Sequence, residues 1–207
     1  VRVKHWVEEN SIKMYDKQGS VLRIETTINN PKRFRVLRKT TLNGKSSLKW
    51  YYMRKGIADI PRRVEFSHAA NERYLEALSV VADPSPSHLL LDPVSKRRVV
   101  KARSYRLLRP IAPDEAEVFR TLLRGEFNIQ GFRNKDLRQQ LDPHSEKDRS
   151  RRRKSSARIT RLLRLLRVHS IIHRISGTRY YRVSKQGHQV MAIALSLRDA
   201  NMELLAA

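Results

Sequence analysis

The sequence predicts an α+β protein, and three observations support that prediction. Residues 1–50 alternate apolar and polar side chains with the period of two that is typical of β-strands. From about Ile57 the apolar residues recur with the helical period, and helical patterns dominate the second half of the chain. The 207 residues are 40% hydrophobic, which is enough to form one large packed domain or two small ones.

The N-terminal elements are predicted to be antiparallel strands. The segments VRVKHWV, SIKMYDK and SVLRIETTI alternate and are separated by turns at Glu9-Asn10 and Gln18-Gly19. The segments RFRVLRK and SLKWYYM form a second predicted pair around Asn43-Gly44, a dipeptide that hairpin turns favour strongly. A helix over about residues 57–81 follows, and the Pro/Ser-rich stretch ADPSPSH ends it.

The predicted organisation has three parts. Residues 1–85 form a small β-meander with a helix, residues 86–112 form an extended connector or short hairpin, and residues 113–207 form a second domain. In the second domain the helices DEAEVFRTLLRG, KDLRQQL and SARITRLLRLLRVHSI precede the strands IIHRIS and TRYYRVS and a closing helix. The low-complexity stretch HSEKDRSRRRKSS before the third helix is predicted to be a loop.

The charge of the chain points to a polyanionic partner. The formal net charge is +24 with an isoelectric point near 11.1, and both halves are basic, so nucleic acid is the expected partner. The absence of cysteine excludes disulfides, thiolate zinc sites and a cysteine nucleophile. No apolar run has the length of a membrane span and no signal-peptide pattern is present, so we expect no membrane partner and a cytoplasmic, nucleoid-associated protein. The first residue is Val rather than Met, which agrees with processing, an alternative start codon or a missing upstream part.

Helical spacing divides the basic helix SARITRLLRLLRVHSI into two faces. Ile159, Leu162, Leu163 and Leu166 recur at intervals of three and four residues, which predicts one buried stripe. The polar residues Thr160, Arg161, Arg164 and Arg167 project away from that stripe, and Arg158 lies at its flank. Arginine suits a nucleic-acid surface because it pairs with guanine edges and binds phosphate. The alternative is an amphipathic helix whose arginines are only hydrated.

The segment GFRNKDLRQQL…RITRLLRLLRVHSIIHRISGTRYYRVSKQG resembles winged helix-turn-helix domains in its order of helices, two-stranded wing and closing helix. The resemblance implies a winged-helix fold over residues 113–207, with SARITRLLRLLR as the recognition helix in the major groove of duplex DNA. It places Ser155, Ser156 and the preceding basic residues near the phosphate backbone, and the wing near an adjacent groove. The implied nucleic-acid-binding residues are Arg151, Arg152, Arg153, Lys154, Ser156, Arg158, Thr160, Arg161, Arg164, Arg167, Arg174, Thr178, Arg179 and Arg182.

The segment SIKMYDKQGSVLRIETTIN resembles a strand pair of rolling-circle replication initiators, which carry a Y-D/E-K … R-x-E pattern. This resemblance implies Tyr15 as a nucleophile towards a DNA phosphate, and Asp16 and Glu25 as ligands of a divalent metal, Mg²⁺ or Mn²⁺. Lys17 and Arg23 would then bind phosphate. The alternative is an ordinary hairpin in which Tyr15 is half-buried and Glu25 pairs across the strands with Arg23 or Lys17.

The segment KSSLKWYYMRKG places aromatic residues beside cations, a pattern suited to single strands or exposed bases. Trp50, Tyr51 and Tyr52 cannot all share one face of a strand, so at least one is expected to lie in the core. The whole chain also resembles bacterial reading frames of uncharacterised activity that carry N-S-x-K-M-Y-D-K-x-G-S-V-L-R-x-E-T-T-I-N and G-F-R-N-x-D-L-R.

Three functions are open at this point. The favoured one is duplex DNA binding without a cofactor, in the setting of a mobile element, replication or transcription. The others are a metal-dependent enzyme that nicks or transfers DNA strands, and an RNA-binding protein of a ribonucleoprotein. The closing helix QVMAIALSLRDANMELLAA has enough apolar surface either to form a homodimer or to be covered within one chain.

Overall fold

A computed structural model describes residues 2–42, 45–79 and 86–200, and it confirms the predicted α+β class. The predicted turn at Asn43-Gly44 and most of the ADPSPSH stretch lie outside the described residues. The chain divides into two compact units. Unit 1 comprises Val1–Leu75 and Gly125–Gln130, and unit 2 comprises Glu76–Arg124 and Gly131–Ala207.

Unit 1 contains two antiparallel sheets. Strands β1 (Arg2–Val7), β2 (Asn10–Lys17) and β3 (Val21–Thr27) form the predicted meander in the order β1-β2-β3. Strands β4 (Arg35–Leu42) and β5 (Lys45–Tyr52) form a separate two-stranded sheet. The alternation of side chains therefore specifies both sheets, because residues spaced by two share one face of a strand.

The core of unit 1 combines both sheets with helix α1 (Ile60–Ser79) and the short helix α4 (Phe127–Gln130). The buried side chains of this core are Ile12, Phe34, Val36, Met53, Tyr74 and Ile129. Arg73 of α1 attaches the 125–130 segment, since its Nε and Nη2 donate to the carbonyl oxygens of Asn128 and Ile129, each at 2.9 Å. This segment belongs to unit 1 although the residues on both sides of it belong to unit 2.

Unit 2 begins with helix α2 (Ser87–Leu91) and a short hairpin of β6 (Arg98–Val100) and β7 (Arg103–Tyr105). Residues 86–112 therefore hold a helix and a hairpin rather than a wholly extended connector. Helices α3 (Pro113–Leu122), α5 (Asn134–Leu141) and α6 (Arg149–Val168), strands β8 (Ile172–Arg174) and β9 (Tyr181–Val183), and helix α7 (Lys185–Asp199) follow. Among the fully buried side chains of this unit are Phe119, Leu122, Leu137, Leu166, Ile171 and Met191.

Helix α6 begins earlier than the sequence predicts. The stretch HSEKDRSRRRKSS was expected to be a loop, but the helix starts at Arg149 and includes Arg151–Lys154 in its first two turns. Asp148 caps this end, because its carboxylate accepts hydrogen bonds from the backbone N–H groups of Ser150 and Arg151, each at 3.1 Å. These two bonds lower the pKa of Asp148, and the basic residues that follow are good helix formers.

Helix α7 buries its apolar face within unit 2. Val190, Met191 and Ala194 are fully buried, and α7 packs against α2 and α3. These three side chains are thus covered inside one chain, while Ile193, Leu195 and Leu197 of the same helix are half-buried. Within the described residues no helix combines the length and the apolar character that crossing a bilayer requires.

Candidate nucleic-acid interface

The leucine stripe of α6 is buried against the rest of unit 2. Ile159, Leu163 and Leu166 are at most 2% exposed, and Leu162 is half-buried at the edge of the stripe. This burial fixes the rotation of the helix about its own axis, because a helix turned by one residue would expose the stripe. The polar face of α6 is therefore held towards solvent.

Exposed cations occur along the whole length of α6. Arg158, Arg161, Arg164 and Arg167 are exposed, as are all four residues of Arg151–Lys154. Within the described part of the chain, none of these side chains forms a salt bridge. At the N-terminal end, the hydrogen bond from Arg138 and the charge of Arg152 lower the pKa of Glu146. The backbone N–H groups of Arg151 and Ser150 and the charge of Arg151 lower the pKa of Asp148, which caps the helix. We call the residues Arg151–Lys154, Arg158, Arg161, Arg164 and Arg167 the α6 basic face.

Ser156 and Thr160, both predicted to contact nucleic acid, are bonded to α5 in this structure. The side-chain amide of Asn134 in α5 donates to the Ser156 carbonyl oxygen and to Thr160 Oγ1, each at 2.9 Å. The Ser156 hydroxyl donates to Asn134 Oδ1 at 3.1 Å. Both residues therefore fasten α6 to α5. Ser155 is buried, so its hydroxyl does not reach a surface where a phosphate could bind.

Two of the predicted contact residues in the β8–β9 hairpin are exposed cations, and the other two are half-buried. Arg174 and Arg179 are exposed, and Arg174 Nε donates to the carbonyl oxygen of Thr178 at 2.8 Å. The Thr178 hydroxyl donates to the Ile175 carbonyl and accepts from the Tyr180 N–H, so it stabilises the turn. Arg182 is half-buried, and burial lowers its pKa. Arg174 and Arg179 are thus the cations that this hairpin offers to a ligand.

Residues before α5 anchor the hairpin, and the sequence analysis did not single them out. Phe132 forms a single antiparallel bridge with Tyr181, with backbone hydrogen bonds of 2.9 and 2.8 Å. The Arg133 guanidinium lies over the Tyr180 ring, 5.2 Å from its centroid. The segment GFRNKD is the part of the sequence that could indicate this anchor, because Gly131 adopts a positive φ and Arg133 and Asp136 form the cap of α5.

The register of β2 and β3 places Tyr15 and Glu25 together and Asp16 elsewhere. The Tyr15 hydroxyl donates to Glu25 Oε1 at 2.7 Å, and Lys13 and Arg23 bond the same carboxylate at 2.5 and 2.7 Å. Because Lys13 pairs with Glu25 and Asp16 pairs with Leu22, the side chains of Asp16 and Glu25 point to opposite faces of the sheet.

The Glu25 carboxylate in this strand pair has its charge balanced by neighbouring cations. The hydrogen bonds from Lys13 and Tyr15 lower the pKa of Glu25, whereas the bond to Glu25 raises the pKa of the Tyr15 hydroxyl. A tyrosine nucleophile needs the opposite shift, because the attacking species is the tyrosinate. No group of three His, Cys, Asp or Glu side chains that could hold a metal occurs in the part of the chain that the structure describes.

The aromatic run of β5 is exposed on both faces. Trp50 and Tyr52 project from one face, and Tyr51 projects from the other, where its hydroxyl is 3.0 Å from Thr40 Oγ1. None of the three is buried, so the expectation that at least one belongs to the core is wrong. The β4–β5 sheet has two strands and is too narrow to cover its own aromatic side chains.

Comparison of the chain with protein-family models, with curated proteins and with solved structures finds no match. The geometry and the charge of the chain itself are therefore the basis on which a function can be proposed.

Proposed function

We propose that this protein binds duplex DNA through unit 2, with α6 as the helix that enters the major groove. The observation that carries this proposal is the α6 basic face, a set of exposed cations on a helix whose Ile159, Leu163 and Leu166 are buried. A helix with its side chains is about 10–12 Å wide, and the major groove of B-DNA is about 12 Å wide. Such a helix therefore fits the groove with its arginines on base edges and phosphates.

The elements around α6 support a winged-helix arrangement. Helices α3, α5 and α6 are followed by the β8–β9 hairpin and α7, which is the order of that class of domain. The Phe132–Tyr181 bridge attaches the hairpin to the segment before α5, and in this proposal the hairpin serves as the wing. In this proposal Arg174 and Arg179 contact the phosphate backbone beside the groove that α6 occupies.

Duplex DNA suits this surface better than duplex RNA does. The major groove of A-form RNA is deep and narrow, so side chains on a helix cannot read it. The interaction we propose is metal-independent, since cationic side chains supply the attraction by displacing condensed counterions. A net charge of +24 favours the same partner, and in this proposal the protein acts on the DNA of the nucleoid.

The test is the double substitution Arg161→Ala/Arg164→Ala in the full chain. We expect binding of a labelled duplex, measured by fluorescence anisotropy, to weaken by about tenfold to a hundredfold. The dependence of log K on log[salt] should become shallower by about two, because each lost phosphate contact removes about one from the slope.

A matched control removes the same charge from other exposed arginines of unit 2. Arg109 and Arg120 are bonded to Asp114 and Asp199, each at 2.8 Å, so Arg109→Ala/Arg120→Ala should leave duplex binding nearly unchanged. Equal affinities for the two double variants would refute the role of α6. Stronger binding of the wild-type chain to hairpin RNA than to the duplex would refute the choice of DNA.

A further inference from the structure

One face of the β4–β5 hairpin is an exposed surface of aromatic and basic side chains. The register pairs Arg35 with Tyr52, Leu37 with Trp50 and Lys39 with Leu48, and directly paired residues share a face. All six are exposed, with Trp50 at 48% and Tyr52 at 58%. We call these six residues the hairpin platform.

The opposite face of the hairpin holds the platform in place. Val36 is buried in the core of unit 1, and Arg38 donates from Nη2 to both carboxylate oxygens of Asp59, at 2.7 and 2.5 Å. Asp59 is itself only 4% exposed and also accepts from the Arg54 N–H at 2.6 Å. Because this face is attached to unit 1, the platform has a fixed orientation towards solvent.

The charge of the hairpin fits a polyanion. Residues 35–42 and 45–52 contain five Lys or Arg residues and no Asp or Glu. On the platform, the Arg35 guanidinium lies over the Tyr52 ring, 5.1 Å from its centroid. A second copy of this face would bring cations together with no acidic partner, so self-association does not suit it.

Trp50 offers an uncovered ring. The chain contains two tryptophans, and in β1 Lys4 Nζ lies over Trp6, 3.9 Å from its centroid. Among the described residues no cation and no other ring stacks on Trp50. A base can therefore stack on Trp50 without displacing a partner.

We infer that the hairpin platform binds single-stranded DNA, with bases stacked on Trp50 and Tyr52 and phosphates beside Arg35 and Lys39. Residues spaced by two on a strand lie about 6.7 Å apart, roughly twice the 3.4 Å rise per nucleotide. This spacing suits the bases of an unstacked strand. Stacking on an exposed ring requires a free base face, which a duplex hides.

The assignment to DNA rather than RNA rests on the proposed function of unit 2. The Tyr52 hydroxyl of the platform accepts from Arg35 Nη2 at 3.5 Å, and the hydroxyls of Thr41 and Ser46 are 3.1 Å apart and bond each other. Among its described residues the platform carries no carboxylate or amide side chain that could recognise a ribose 2′-hydroxyl. Binding here consequently uses stacking and charge, and we expect little dependence on base sequence.

The experiment uses the full chain with the substitution Trp6→Phe, which leaves Trp50 as the only tryptophan. Titration with oligothymidine of about twelve nucleotides should quench Trp50 fluorescence in a saturable way. In anisotropy titrations, Trp50→Leu and Tyr52→Leu should each weaken binding of the same oligonucleotide about tenfold. Circular dichroism establishes that each variant is folded.

Lysines on the two faces of the hairpin provide a matched control. Lys39 is on the platform and Lys49 is on the opposite face, and both are exposed. Lys39→Ala should weaken single-strand binding more than Lys49→Ala. Equal effects of these two substitutions, or unchanged affinity of a folded Trp50→Leu variant, would overturn the inference.

Two further arms separate this inference from the proposed function. Arg161→Ala/Arg164→Ala should leave the quenching of Trp50 by oligothymidine unchanged, so loss of duplex binding alone refutes only the role of α6. Tighter binding of oligouridine than of oligothymidine, or full competition by an equal amount of duplex, would overturn the assignment of the platform to single-stranded DNA.

Discussion

Gly131 controls how the β8–β9 hairpin is attached to unit 2, and replacing it with alanine tests that attachment. Its φ is 83°, in the left-handed region that residues with a Cβ adopt at a cost. A Cβ on Gly131 would also overlap the carbonyl oxygen of Tyr181. That oxygen accepts the hydrogen bond from the Phe132 N–H at 2.9 Å, so Gly131→Ala acts directly on the bridge between Phe132 and Tyr181.

Two contributions make up the expected cost of Gly131→Ala. The left-handed conformation costs about 1–2 kcal/mol for a residue with a Cβ. Relief of the overlap separates Phe132 from Tyr181 and removes their two backbone hydrogen bonds, each worth about 1 kcal/mol. We therefore expect the free energy of unfolding of unit 2 to fall by about 3 kcal/mol.

Gly19→Ala is the control for the backbone conformation alone. Gly19 has a φ of 72°, and a Cβ there would meet no atom within 4 Å, so only the conformational cost of about 1–2 kcal/mol applies. Both tryptophans, Trp6 and Trp50, lie in unit 1, so tryptophan fluorescence follows unit 1 during urea unfolding. Far-UV circular dichroism follows mainly unit 2, which holds most of the helical residues. Equal costs for the two substitutions would show that the carbonyl of Tyr181 does not constrain Gly131.

Three other predictions concern protonation, the hairpin anchor and the predicted nucleophile. Burial lowers the pKa values of His169 and His188 below the ordinary 6.5, so the unfolded chain binds protons first as the pH falls. The free energy of unfolding of unit 2 should hence decrease from about pH 7.5 to about pH 5.5, and a flat or rising urea midpoint would contradict this. Asp59→Ala leaves Arg38 without its carboxylate and should destabilise unit 1 by about 3 kcal/mol, measured by tryptophan fluorescence; a cost under about 1 kcal/mol would mean that the pair does not anchor the hairpin. Tyr15→Phe should leave the affinity for duplex DNA unchanged, because Tyr15 is not part of the proposed interface. If the wild-type chain nicks a plasmid in the presence of Mg²⁺ and Tyr15→Phe does not, that result would instead support the enzyme hypothesis.

The β-meander and the buried stripe of α6 could be predicted because each depends on a local period. Alternation in residues 1–27 fixes which side chains face the core, and Ile159, Leu163 and Leu166 lie on one side of any helix that contains them. The early start of α6 differs from the predicted loop because low complexity does not prevent a helix where the residues are strong helix formers. Asp148 directly precedes a run of strong helix formers, and a cap in that position favours a helix.

The side chains around the candidate sites depend on tertiary neighbours, and the sequence does not specify those. The burial of Ser155 and the partial burial of Arg182 follow from packing within unit 2. The separation of Asp16 from Glu25 was accessible from the strand pattern, since a register that pairs Lys13 with Glu25 sends Asp16 to the other face. No local signal indicates that Ile129 joins the core of unit 1.

The 125–130 segment makes both units discontinuous in sequence, and this has a consequence for how the protein can be divided. A fragment of residues 110–207 carries Ile129 away from Ile12 and Met53, and a fragment of residues 1–85 has a core that lacks Ile129. A single cut before Glu76 gives all of unit 2 together with a 125–130 segment that has lost its partners, and no single cut gives unit 1 whole. Recombination at one breakpoint consequently cannot pass unit 1 intact to another protein, and we expect unit 1 to be inherited together with unit 2.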